Sequence, residues 1–247
     1  MIEKPNEQEL KKAQEICDKG DNALADGQAD EAMAFFKEAE AIFQSLNDLH
    51  WLTYVRYKVF QLLITQEKNA EAISLAEVIM KGYISIKDNR GLILILIGRA
   101  NLYMDMEQAD SALVDLKLAE TIIEKSDHQD LAGYLFSRLS HCQMIRHEIN
   151  DAILYLKKSL TFFPEAQAPH EYYWCVEMLG DCYNEVFDIQ KAIRHLQVAL
   201  NGYDKLNDKE AKIDVLKKLI DMHRNSGNSS KADELVILLQ REGIVKR

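Results

Sequence analysis

Four cysteines and seven histidines carry the widest chemical repertoire in this chain of 247 residues. Cys175 and Cys182 stand seven apart, a spacing that sets both sulfurs on one face of a helix. His170 and the His141–Cys142 pair lie nearby in sequence. Such groups could assemble a metal site, but the close thiolate and imidazole spacings of zinc centres are missing. There is no CxxC pair and no disulfide framework, so Cys17, Cys142, Cys175 and Cys182 read as reduced thiols, with no metal and no cofactor expected. Catalysis finds no better footing. No nucleophile, base and orienting group recur at a recognisable spacing, and no glycine-rich phosphate loop occurs. The expectation is a non-enzyme, with a helical-repeat phosphatase or hydrolase as the contrary reading.

The composition narrows the partners. A formal net charge of −10 leaves no basic stripe for a phosphate backbone, and it disfavours anionic membrane surfaces. No run of 18 apolar residues occurs, and the opening "MIEKPNEQELKKAQE" lacks the apolar stretch of a signal peptide. Neither nucleic acid nor membrane is expected as a partner, and the location expected is cytoplasmic. With 47% hydrophobic residues a sizeable core is available, while 10 Gly, 3 Pro and an abundance of Leu, Ala, Glu, Lys and Gln argue for helices.

The elements that must position any site are set by a repeat. Ala32, Ala72, Ala112, Ala152, Ala192 and Ala232 follow one another at intervals of 40 residues. Four residues after each stand Phe36, Ala76, Leu116, Leu156, Leu196 and Val236; twelve before stand Gly20, Phe60, Ala100, Ser140, Gly180 and Ile220, which are mostly small. Each copy holds two apolar segments of helical period separated by a short polar break, as at 26–30, 66–70, 146–150, 185–189 and 225–230. Between copies, Asp48, Asp88 and Asp208 are placed to cap the following helix. A helix–turn–helix of this size cannot bury its apolar face alone, so neighbours must stack.

On these residues the chain resembles the tetratricopeptide repeat family. "LGDCY" (179–183), followed by Ala192 and Leu196, matches the family's L-G-x2-Y…A-x3-F pattern with Leu for Phe, and Pro164 falls where the family places proline. The departure is the period of 40 in place of 34, which is similar to the longer-helix variety. The resemblance implies an all-α fold, an α-solenoid (right-handed superhelix) of six helix–turn–helix repeats. The repeats fall at about 13–52, 53–92, 93–132, 133–172, 173–212 and 213–247, forming one domain over 11–247 behind a leader, 1–10. It also implies that each copy's third and tenth positions pack between repeats. In later copies these hold residues such as Val55, Ile95, Cys175, Leu62, Cys142 and Cys182, but Glu15 and Asn22 in the first, so the array begins there.

The same resemblance implies a peptide-binding groove lined by the first helix of each repeat. Carried over, its positions are Tyr54, Tyr57, Lys58 and Gln61; Leu94, Ile97, Gly98, Asn101 and Met104; Tyr134, Ser137, Arg138, His141 and Met144; and Trp174, Glu177, Met178, Asp181 and Asn184. The run "GLILILIGRANLY" from Gly91 reads by propensity as a strand, yet the period makes it a first helix. Ile93, Ile95 and Leu96 are then core, and Leu94 and Ile97 face the groove unless superhelical curvature buries them. The family's carboxylate clamp is absent: its positions read Ile97, Asn101, Arg138, Trp174 and Met178.

The function expected is a non-catalytic scaffold for a protein or peptide ligand, or alternatively the N-terminal sensory array of a larger bacterial signalling protein. In the second helices, Lys37, Glu77, Lys117, Lys157 and Gln197 share one polar position that becomes Ile237 in the sixth copy, beside Leu238. Those two residues are expected to meet a second copy in a homodimer or a C-terminal effector domain.

Overall fold

The computed structural model describes residues 7–165 and 167–241, so part of the leader (1–6) and the last six residues of the sixth copy lie outside the described residues. Among the described residues there are twelve α-helices, one 3-10 turn and no strand. They fall into two units that divide after Asp127. In the first unit, α1 (Glu7–Ala25) packs on α2 (Ala29–Ser45), α3 (Leu49–Thr65) on α4 (Asn69–Ile86), and α5 (Asn89–Asp105) on α6 (Ala109–Glu124). In the second, α7 (Ala132–Ile145) packs on α8 (Ile149–Phe162), α9 (Pro169–Glu185) on α10 (Ile189–Leu206), and α11 (Lys209–Asn225) on α12 (Ser229–Arg241). Within each unit the second helix of one pair also packs on the first helix of the next.

The turn inside each pair repeats as closely as the sequence does. Gly27, Glu67, Glu107, His147, Phe187 and Gly227 all have φ between 57 and 76°. The N–H of the following residue reaches back to the helix, as in Gln28 to Ala23 O at 2.8 Å and Asp188 to Tyr183 O at 2.9 Å. This is a Schellman closure, which favours glycine because a side chain crowds the left-handed conformation. Only the first and last copies supply one.

Between pairs, Asp48, Asp88 and Asp208 cap α3, α5 and α11, accepting from Trp51 N, Gly91 N and Ala211 N at 3.1, 2.8 and 3.1 Å. Asp188 caps α10 in the same way, a role the repeat pattern did not single out. At the third junction the corresponding residue is His128, which makes no side-chain cap, and the chain passes through a 3-10 turn (Gln129–Leu131) before α7 begins. α9 opens with Pro169 in its first turn, where a missing N–H costs nothing.

The repeating alanines are the points of closest packing: all six are no more than 1% exposed. Volume is shared across the pair. A Cβ on Gly20 would lie 2.7 Å from the Phe36 ring, and one on Gly180 would lie 2.8 Å from Leu196 Cγ. In the second repeat the sizes are exchanged, with buried Phe60 on α3 and buried Ala76 on α4. Ser159, which stands where three other copies have Ala39, Ala119 and Ala199, is fully buried; its hydroxyl donates to Gly133 O at 2.8 Å, so no polar group is stranded.

The third and tenth positions are buried from Val55 through Met222, whereas Glu15 and Asn22 are exposed. The aliphatic run is helical. Leu92, Ile93, Ile95, Leu96 and Ile97 are buried and Leu94 is half-buried, which makes α5 an interior helix flanked by α4 and α6. Its one strong charge inside this apolar surround is neutralised: Arg99 grips Asp115 of α6 through two bonds of 2.8 and 2.7 Å.

Candidate functional site

The expected groove residues separate into three groups. Ile97, Met104 and Glu177 are only 1%, 5% and 8% exposed, so the surface expected of them is not presented. For Ile97 and Met104 the reason is that α5 is apolar on every side and its groove-side positions are drawn into packing. Of the pair expected to face the groove, Leu94 and Ile97, Ile97 is thus buried and Leu94 half-buried. Glu177 is enclosed by its partners, accepting from Tyr203 Oη at 2.9 Å and from Lys218 Nζ at 2.6 Å.

A second group is accessible but committed to internal bonds. Tyr54 donates to Asp21 at 3.0 Å, and Lys58 Nζ stands 2.7 Å from the same carboxylate and 5.3 Å from the Tyr54 ring. Burial lowers the Lys58 ammonium, but Asp21 and Tyr54 together outweigh it and leave the group above its ordinary value. Burial and the same carboxylate raise the Tyr54 phenol. Tyr57 packs against Phe60 and Tyr83, with ring centroids 6.2 and 6.5 Å away. Asp181 accepts from Lys218 at 2.6 Å; burial raises its carboxyl while Lys218 pulls it down. Met178 packs on the core of the second unit.

Gln61 and Asn184 are exposed, and Leu94, Asn101 and His141 are half-buried; Asn101 Oδ1 is buried without a hydrogen-bond partner. Asp21 and Lys218 were missed because the groove positions were carried over only to the four middle copies. The same positions in the first and sixth copies include these two residues.

The third group comes together in one place. A cleft of about 400 Å³ in the second unit is lined by Tyr134, Ser137 and Arg138 of α7, His170, Glu171 and Trp174 of α9, and by Phe163, Tyr203, Asp208 and Ala211. The last four, like His170 and Glu171, fall outside the groove positions of the sequence reading, because they come from helix ends and second helices. Arg138 packs against two aromatic rings of this cleft. Its Cζ lies 4.8 Å from the Tyr134 ring centroid and 5.7 Å from that of Trp174. Its Nε is buried without a hydrogen-bond acceptor, and among the described residues no carboxylate forms an ion pair with it. His170 Nδ1 stands 3.9 Å from Asp208 Oδ2 on the rim.

The thiols do not gather. All four cysteines are buried; Cys175 Sγ is 3.4 Å from Ser159 Oγ, and among the described residues no three His, Cys, Asp or Glu side chains form a metal-binding group. Among the described residues no helix is long and apolar enough to cross a membrane. Of the terminal pair, Ile237 is 52% exposed, whereas Leu238 is half-buried against the cluster of Ile213, Leu216 and Ile220.

The fold is that of tetratricopeptide-like helical repeats, an α-solenoid class. Among solved structures, a STAND ATPase with a tetratricopeptide repeat sensor from Pyrococcus horikoshii is similar with a TM-score of 0.84 and 14% identity, covering 97% of this chain and 37% of that one. Aspartyl phosphate phosphatase F from Bacillus subtilis is similar with a TM-score of 0.69 and 16% identity, covering 97% and 73%. The apo form of the quorum sensor NprR from B. thuringiensis gives 0.67 and 12%, covering 95% and 77%. These identities speak for the fold alone. No family profile matches the chain, and no curated protein sequence matches it.

Proposed function

We propose that this protein is a non-catalytic scaffold that binds a peptide or an extended protein segment, with the cleft around Arg138 and Trp174 as its principal contact. The observation that carries this reading is Arg138, a half-buried cation packed on two aromatic rings, lining a cleft and lacking an acidic partner. Elsewhere on the first helices the comparable cations, Lys58, Arg99 and Lys218, are each occupied by a carboxylate of the chain itself. Aromatic and arginine side chains in a concave setting are the groups from which binding hot spots are made.

The test is to release and sequence any peptides that copurify, then titrate them by calorimetry onto the protein and onto Trp174→Ala. Saturable binding weakened roughly tenfold or more, with helix content retained, agrees with the reading. Equal binding by both proteins removes the cleft from it. Release of phosphate from an aspartyl-phosphate protein at an enzymatic rate would replace it with the phosphatase reading.

The likeness to a repeat sensor within a longer ATPase, and to a quorum sensor, favours a second reading in which the same cleft serves the sensory array of a larger signalling protein. An immunoblot of native extract separates the two. A band well above 28.4 kDa supports the sensory array, and a band at that mass rejects it.

A further inference from the structure

We infer that the second unit holds a second contact for the bound segment, a cleft between α9 and α11 that takes a lysine or arginine side chain. The inference rests on the reading of these first helices as a peptide-binding surface and adds the charge of one ligand residue. The cleft, of about 540 Å³, is bordered by Glu185 of α9, by Phe187 and Ile189 beyond its end, and by Lys218, Asp221 and Met222 of α11. None of these six lines the cleft around Arg138.

Negative charge is left over here. Lys218 is the one ammonium or guanidinium group in the lining, and Glu177 and Asp181 both accept from it at 2.6 Å. Glu185 and Asp221 are exposed, and among the described residues neither takes part in a hydrogen bond or an ion pair. The complement of such a lining is a cation. Among the described residues no three His, Cys, Asp or Glu side chains form a metal-binding group, so these carboxylates suit a cation carried on an alkyl chain better than a bare ion.

Phe187 points to the same ligand. Its ring is 87% exposed, and among the described residues it meets no other ring and no cation. The corresponding turn residues of the other copies are Gly27, Glu67, Glu107, His147 and Gly227, none of them a large apolar side chain. An ammonium or guanidinium drawn to Glu185 and Asp221 has this ring in the same cleft, where cation–π attraction adds to the ion pair. Ile189 and Met222 give its methylene stem an apolar wall.

Four pools of N-acetylated, C-amidated hexapeptides passed over the immobilised full chain test this. They share five degenerate uncharged positions and carry arginine, lysine, citrulline or glutamate at the sixth. The expected result is retention of the arginine or lysine pool roughly tenfold above the other two. That excess is lost when Glu185→Gln and Asp221→Asn are combined, and it is reduced in Phe187→Gly. It is kept when Glu31→Gln and Glu71→Gln are combined, which removes the same charge from α2 and α4. All five positions are exposed, so helix content should hold in every variant. Retention of the citrulline or glutamate pool at the level of the basic pools, abolished by Trp174→Ala, overturns the basic contact and leaves the peptide site at Arg138 standing. An equal loss in the Glu31 and Glu71 variant traces the attraction to net charge and overturns it too. Retention of no pool overturns both readings.

Discussion

Gly202 of α10 lies directly under the ring of Tyr173 of α9, so close that a Cβ on the glycine would come within 2.2 Å of the ring carbons. The same two positions of the other repeats hold Thr53 against Gly82 and Gly133 against Phe162. In each pair one helix gives up volume that the other takes. Gly202→Ala should therefore destabilise, because displacing the ring costs about 1–3 kcal/mol while the gain in helix propensity is at most about 1. Urea unfolding of Gly202→Ala and of Gly202→Ala with Tyr173→Leu should show the second variant recovering part of the loss. A more stable single variant would mean that the ring has room to move.

Phe187 is 87% exposed and has φ 60° in the Schellman turn after α9. The left-handed conformation costs a side chain about 1–2 kcal/mol, part of which is returned as glycine's larger loss of entropy. Phe187→Gly should stabilise by about 0.5–1 kcal/mol, and Gly27→Ala in the first repeat should destabilise by a similar amount. Both are measured as shifts in thermal or urea midpoint. A destabilised Phe187→Gly would show that the exposed ring contributes a contact not apparent in the fold.

The buried thiols predict a pH dependence. Burial is the main cause that pushes Cys17 and Cys182 from an ordinary value of 9.0 up to about 12, with Asp21 and Asp18 adding at the first and Asp181 and Glu185 at the second. Because the folded values are raised, their contribution to stability is complete below about pH 9 and is lost as pH rises towards 12. Each thiol should steepen that loss by about 1.4 kcal/mol per pH unit. Burial raises Tyr83 and Tyr203 in the same sense at higher pH. Unfolding curves between pH 8 and 11 should flatten in Cys17→Ala and again in Cys182→Ala. Thiol reagents should react slowly until denaturant is added. Fast reaction of the folded protein, or unchanged slopes, would count against the burial.

Ile237 and Leu238 separate on α12. Leu238 packs on Ile213, Leu216 and Ile220, so Leu238→Lys should cost about 2–4 kcal/mol by opening that cluster. Ile237 is 52% exposed, so Ile237→Lys should leave stability within about 0.5 kcal/mol. If the exposed side chain meets a second copy, sedimentation at high concentration will show association that Ile237→Lys removes. An unassociated protein in both forms would end the homodimer expectation. Replacing the two residues together, an obvious design from sequence alone, would confuse these effects.

What was legible in the sequence follows from what repeats. Ala32 to Ala232 mark the close packing of every helix pair, and the caps at Asp48, Asp88 and Asp208 need only the residue before a helix to be an aspartate. Phe60 and Ala76 looked like lapses from the pattern and are one size exchange, visible only when the two helices are in contact. The groove was harder. Its positions can be counted, but whether a side chain there is free depends on partners from other helices. Asp21 occupies Tyr54 and Lys58, Lys218 occupies Glu177 and Asp181, and nothing in the spacing distinguishes these from Arg138. The strict period did not single out the third junction, where His128 stands in place of a capping aspartate and a 3-10 turn precedes α7.

Binding of ligand at Arg138 and Trp174 can be read directly, because the chain has only two tryptophans. With Trp51 replaced by Phe, titration of a copurified peptide should change the emission of Trp174 saturably, with the same Kd that calorimetry gives. Arg138→Gln should weaken that Kd roughly tenfold or more, since a hydrogen bond to a charged group contributes about 1.5–3 kcal/mol. Calorimetric binding that leaves Trp174 emission unchanged and is indifferent to Arg138 would contradict the account.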